Sequence, residues 1–158
     1  MPGLPSLVVA IGGQQVRLDL SVLTTFRHFR QTGNRPEACG ILLGLQWADR
    51  WEITEATPPQ LTDQRSFLYF LRERKGHIDM AMRRWEESQG LIGYLGEWHT
   101  HPESRARPSR KDIESAAKIA RTNASSILSI VVGDPECTML MFDSFGNLSA
   151  STPFRVLP

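Results

Sequence analysis

The 158-residue sequence is short of several things, and each shortage removes a class of protein. Cysteine occurs only as Cys39 and Cys137. Two thiols are too few for a disulfide framework, and without a CxxC pair they do not make a thiolate zinc site. Both sit in apolar runs and read as small buried hydrophobes. No charge of one sign dominates: 18 Lys and Arg stand against 17 Asp and Glu, a net of +1. Nucleic-acid binding driven by bulk charge is therefore not expected. No uninterrupted apolar run approaches the roughly 18 residues of a membrane span, so no membrane partner is expected either. The chain opens without a basic n-region, and Pro2 and Pro5 break its early apolar stretch, which argues against a secretory signal and for a cytoplasmic protein. Internal repeats and low-complexity tails are missing too. What is there is an ordinary globular composition, 41% hydrophobic and 22% charged, which excludes wholesale disorder. The length suits a single domain over residues 1–158.

Gly12-Gly13, between Leu7 to Ile11 and Gln14 to Leu20, reads as the turn of a β-hairpin. Ser21 to Gln31 carries Val22, Leu23, Phe26 and Phe29 at helical spacing, with Gly33 as the expected stop. Ala38 to Trp47 and Trp51 to Ala56 read as antiparallel strands joined across Ala48-Asp49-Arg50 and ended by Thr57-Pro58-Pro59. A short apolar run, Phe67 to Leu71, precedes a second helix from about His77, in which Ile78, Met82 and Trp85 repeat at helical intervals. Leu91 to Trp98 is a strand that runs straight into His99-Thr100-His101-Pro102. A third helix opens at Pro108-Ser109 and continues to about Thr122. Strands Ile127 to Val132, Cys137 to Asp143 and one beginning near Leu148 complete a mixed α/β or α+β sheet domain with about three helices.

Side chains two apart on a strand share a face, so His99 and His101 point the same way. Eleven residues after His101 comes Asp112, in the first turn of the helix that Ser109 begins. The loop from Pro102 to Pro108 is long enough to fold that helix start back against the strand end. Two imidazoles and a carboxylate are the three donors a catalytic zinc uses while it keeps a fourth position open for water. Read singly, His-Thr-His also fits a satisfied polar patch, and Ser109-x-x-Asp112 fits a helix N-terminal cap.

Glu37, followed by His99-Thr100-His101 and, after the seven residues Pro102 to Pro108, by Ser109-Arg110-Lys111-Asp112, resembles the JAMM signature of the JAB/MPN-domain metalloproteases. Pro36-Glu37-Ala38-Cys39-Gly40, entering an apolar strand, is similar to the way that family presents its glutamate. The resemblance implies the JAB/MPN fold, cytidine-deaminase-like, with a mixed, curved β-sheet packed with about three helices. It implies that His99, His101 and Asp112 bind Zn²⁺, that Glu37 holds and deprotonates the attacking water, and that Ser109 hydrogen-bonds the developing oxyanion. It also implies the substrate class: a deubiquitinase-like (iso)peptidase cutting the bond after the C-terminus of a ubiquitin-like modifier or its conjugates. Small bacterial members encoded beside E1-like and E2-like conjugation enzymes in anti-phage operons are similar in the string Gly96-Glu97-Trp98-His99-Thr100-His101-Pro102. Those conjugation enzymes are the expected further partners.

Residue chemistry by itself gives only metal-assisted amide hydrolysis. A hydrolase processing a sulfur-carrier protein or a small amide, and a non-catalytic MPN scaffold, are the alternative readings; scaffolds of that kind typically lack the ligands. The family commonly has an aromatic where this chain has Glu97. By alternation Glu97 shares the face of His99 and His101, where it is either an acceptor for an imidazole N–H or a solvated edge acid. His28 and His77 read as surface or boundary residues. Arg105, Arg107, Arg110 and Lys111 form a basic loop beside the site, either solvated or a docking surface for an acidic partner. A modifier's tail is expected to lie extended along Leu91 to Trp98 and Pro102 to Pro108.

Overall fold

Alternation of buried and outward side chains builds the first elements. Val9 and Ile11 on β1 (Leu7–Ile11) and Val16 and Leu18 on β2 (Gln14–Leu18) are buried, and the residues between them face outward. The turn joining them places Gly12 and Gly13 at φ 55° and 75°, the left-handed pair that a tight hairpin requires and that glycine adopts without strain. The computed structural model describes residues 6–32, 37–59 and 75–156. In these segments the hairpin leads into α1 (Leu20–Phe29), β3 (Cys39–Gln46), β4 (Arg50–Ala56), α2 (Lys75–Glu87), β5 (Gly93–Thr100), α3 (Arg110–Asn123), β6 (Ile127–Val132), β7 (Glu136–Phe142) and β8 (Leu148–Arg155).

All eight strands form one mixed sheet in the order β1-β2-β4-β3-β5-β6-β7-β8. The β2–β4 and β5–β6 pairs are parallel and the others antiparallel. The sheet curls until its two ends nearly meet: a Cβ on Gly12 would lie 3.1 Å from Ala150 Cβ, and Gln14 Nε2 lies 3.8 Å from Met141 Sδ. Its concave face wraps around α1. Val22, Leu23 and Phe26 meet Leu42, Ile53, Trp98, Leu128, Ile130 and Met139 there, with the Phe26 and Trp98 rings 5.4 Å apart. The convex face carries α3, whose Ala116, Ala117, Ile119 and Ala120 cover Ile127, Leu140 and Phe142.

Several expectations shift. The first helix stops at Phe29, with Arg30 as C-cap in an extended conformation; Gly33 and Phe67 to Leu71 lie outside the described residues. The histidine strand begins at Gly93 and runs to Thr100, so His99 is inside it and Leu91 is exposed. Residue Leu95 is extra in that strand, because Leu42 pairs Gly96 while Leu43 pairs Tyr94. This bulge turns Tyr94 onto the same face as Glu97. Gly96 takes φ 153° there, and a Cβ on it would stand 1.7 Å from Leu128 O, so glycine is required for β5 to reach β6.

The second helix turns its apolar stripe outward. Ile78, Met82 and Trp85 are 47%, 58% and 54% exposed. The face toward the sheet is instead anchored by polar contacts: His77 Nδ1 sits 2.7 Å from Thr57 Oγ1, Arg84 forks onto both oxygens of Glu55 at 2.8 and 3.2 Å, and Ser88 Oγ accepts from Ile92 N–H at 2.8 Å. His77 is therefore not a surface residue; it is fully buried.

Candidate metal centre

The centre lies on the convex face, where the end of β5 meets the start of α3. Within β5, Trp98 and Thr100 face inward and His99 outward, as the registers Trp98 with Ile130 and His99 with Val131 show. His101 lies one residue beyond the strand and stays tied to it through its N–H to Val132 O at 2.9 Å. The two imidazoles stand edge to face with centroids 4.9 Å apart.

Asp112 reaches them because of how α3 begins. Ser109 is the N-cap: its Oγ accepts from Asp112 N–H at 3.1 Å, and its own N–H donates to Asp112 Oδ2 at 2.7 Å. This reciprocal capping box fixes both the helix start and the carboxylate. The same Oδ2 stands 3.2 Å from His99 Nε2 and 3.2 Å from His101 Nε2. Burial by itself would raise the Asp112 carboxyl; the contacts from His101 and His99 and the Ser109 N–H more than offset that and hold it well below the usual carboxylate range. The contact with Asp112 raises His101 against the opposing effect of burial, and the charges of Asp112, Glu103 and Glu37 add to the rise.

The donor set fits a metal ion. One nitrogen from each histidine and one carboxylate oxygen lie within 4.8 Å of one another, in a buried to half-buried cluster. Tetrahedral zinc with ligands at about 2.0 to 2.1 Å sets neighbouring donors roughly 3.3 Å apart, and the two nitrogen-to-oxygen separations are 3.2 Å. Three protein donors leave the fourth position of such an ion open.

Glu37 comes to this cluster by strand pairing. Cys39 is registered opposite His99, and Thr100 N–H donates to Ala38 O at 2.9 Å. Continuing that register sets Glu37 opposite His101 and, by alternation, on its face. The charge of Glu37 is felt at His101. The lock on this arrangement is Thr100, whose role the sequence reading missed. Its Oγ1 accepts from Ala38 N–H at 2.9 Å, so the inward-facing hydroxyl between the two histidines clamps the segment that carries Glu37. The available signal was the hydroxyl residue itself, since the motif admits only serine or threonine there.

Glu97 is not a solvated edge acid: it is 4% exposed, on a strand paired on both sides, and accepts from Tyr94 OH at 2.5 Å. The double pairing of β5, to β3 and β6, also corrects the expectation that a peptide could add to that strand, because no edge of it is open. His28 is exposed, with its ring edge-on to Phe29.

Comparisons with known proteins place the chain in a family. Residues 19–143 match the model of the prokaryotic homologs of the JAB domain. A protein of Pseudomonas aeruginosa strain BWHPSA011 named CD-NTase/cGAS isopeptidase is 39% identical over 84% of this chain and 86% of its own length. One of the same name from Vibrio cholerae is 32% identical over 70% of this chain and 71% of its own. A protein of Desulfitobacterium hafniense, solved in solution, is 22% identical and superposes with a TM-score of 0.56 over 87% of this chain and 88% of its own, a likeness of fold. With the family model spanning both the fold and the His99, His101 and Asp112 cluster, the chain belongs to the prokaryotic JAB domain family.

Proposed function

We propose that this protein is a zinc-dependent isopeptidase that hydrolyses the bond joining the C-terminus of a ubiquitin-like modifier, or of a protein conjugated in the same manner, to an acceptor amine. The observation that carries the reading is the set of three donors, His99 Nε2, His101 Nε2 and Asp112 Oδ2, at separations suited to a tetrahedral ion with one position left over. Zinc held there supplies a Lewis acid for the scissile carbonyl and an acidified water. The chain's own residues do the rest. Glu37, beside His101, takes the proton from the attacking water and returns it to the leaving amine. Thr100 keeps Glu37 in place through Ala38. The Ser109 hydroxyl accepts from Asp112 N–H, which leaves its hydrogen available for the oxyanion.

The relatives' shared name supports a conjugate of a CD-NTase/cGAS-type protein as the substrate. We place the reaction in the cytoplasm and in the anti-phage setting that the motif's resemblance implies, beside E1-like and E2-like enzymes, with residues 1–158 as the catalytic domain. Two buried thiols suit a reducing compartment, and no helix among the described residues is long and apolar enough to cross a membrane. The test uses a CD-NTase/cGAS-type protein joined through its C-terminal carboxyl to the lysine ε-amine of a reporter peptide. The zinc-loaded protein should release the reporter, and a chelator should stop it. An intact probe, together with an intact matched ubiquitin-like fusion, would sink the proposal.

A further inference from the structure

After His101 the chain bends through residues 102–104 and then crosses the start of β7 at Arg105, where its two edges differ. One edge is fastened to the start of β7: Ala106 N–H donates to Glu136 O at 3.0 Å and Glu136 N–H to Ser104 O at 2.9 Å, while Thr138 Oγ1 donates to Ala106 O. Ala106 is buried, and a Cβ on Gly133 would come 2.8 Å from its Cβ, so the segment lies tight against the sheet. The parallel bridge of Arg105 to Glu136 turns the Arg105 N–H and C=O the other way. Among the described residues nothing hydrogen-bonds them.

The side chains of this edge carry a charge that the protein leaves uncompensated. Arg105 and Arg107 are exposed and alternate with buried Ala106. Neither makes an ion pair among the described residues, whereas Arg110 takes Glu114 at 3.2 Å. From residue 102 to 111, four cations stand against one carboxylate, Glu103, and Glu103 faces back toward His101 Nδ1 at 3.6 Å. Arg105 is four residues from His101, at most about 14 Å along an extended chain. β5 offers no edge, but this segment offers one beside the metal centre.

We propose that this edge receives an extended, acidic segment of the acceptor protein, by main-chain pairing at Arg105 and ion pairing at Arg105 and Arg107. The inference rests on the isopeptidase reading. It assigns the acceptor side because Glu37 must return a proton to the leaving amine, so the acceptor departs on the flank of Glu37 and His101, from which the segment runs.

The experiment uses isopeptide-linked probes with a constant carboxyl donor and an acceptor peptide whose lysine is flanked by Asp and Glu, by Ser and Gly, or by Lys and Arg. Wild type should cleave the acidic probe with a kcat/KM roughly fivefold above the neutral one, the size that two solvent-exposed ion pairs supply together, and the basic probe should be slowest. The Arg105→Glu, Arg107→Glu double variant should reverse that order with zinc content unchanged. N-methylation scanned along the acidic acceptor should lower kcat/KM at the one position whose N–H meets the Arg105 C=O. Equal turnover of the three probes by wild type, or an order unchanged in the variant, would overturn the charge assignment, and a flat scan would overturn the main-chain pairing. If no probe is cut the isopeptidase reading fails. Anisotropy of the labelled acidic acceptor peptide alone then still decides the edge: binding by wild type and not by the variant supports it, and no difference overturns it.

Discussion

Asp112 Oδ2 does three things at once, which makes substitutions at the site separable. It closes the capping box with Ser109 and faces both histidines. His99→Ala, His101→Ala or Asp112→Ala should each lose bound zinc and activity together, because removing one of three protein donors leaves an incomplete site. Stoichiometric zinc by elemental analysis in any of the three would refute its assignment as a ligand. Glu37→Gln should retain zinc and fold and lower kcat by about 10² to 10⁴, the worth of a general acid–base group; zinc loss in that variant would make Glu37 a ligand. At Ser109 the cap and the hydroxyl come apart. Ser109→Gly gives up only a few tenths of a kcal/mol of capping, yet it should lower kcat by about 10² if the hydroxyl donates to the oxyanion. Ser109→Thr should restore most of the rate. A glycine variant with full kcat would leave Ser109 as a cap alone.

At the level of elements, the site depends on how β3 and β5 are registered. One hydroxyl, Thr100 Oγ1, holds the entry to β3 against the end of β5 through the Ala38 N–H. Thr100→Val leaves that buried N–H without its acceptor, a cost of about 1 to 3 kcal/mol in stability. It should also lower kcat about tenfold, since a misplaced base transfers protons poorly, with zinc retained because Thr100 faces away from the ligands. Thr100→Ser should recover both quantities. Denaturant unfolding and kcat measured on the three proteins would check this, and a valine variant that loses stability but no rate would confine Thr100 to a structural role. The outward stripe of α2 belongs to this scale as well. A helix whose sheet-facing side is His77, Ala81, Arg84 and Ser88 is held by hydrogen bonds and the Arg84–Glu55 fork, so hydrophobic spacing pointed to the wrong face.

For the molecule as a whole, the curled sheet separates an apolar interior from the candidate metal centre on its convex side. Cys137 lies inside, and burial pushes its thiol up to about 11. At pH 8 roughly one Cys137 in 10³ is then the reactive thiolate. Since neither cysteine takes part in the proposed chemistry, treatment of the folded enzyme with iodoacetamide at pH 8 should leave kcat within about twofold. Inactivation with zinc and fold retained would favour a cysteine mechanism instead.

The sequence by itself determined which residues are candidates for the chemistry and most of the element pattern. The hairpin turn, the buried strand Ile127–Val132 and the N-cap at Ser109 follow from local rules, because turns, alternation and capping depend on residues close in the chain. The spacing of His99, His101, Ser109 and Asp112 was legible for the same reason: a strand end and a helix start lie within one short loop of each other. Tertiary structure alone decided what lies far apart in the chain or depends on which edge is paired. It set Glu37 against His101 across the β3–β5 register, buried Glu97 and His77, turned the apolar stripe of α2 outward, and closed both edges of β5 while leaving Arg105 open. Period-two and helical patterns tell which residues share a face. Only packing decides what that face meets, since burial is a property of the assembled sheet and helices and not of any one segment.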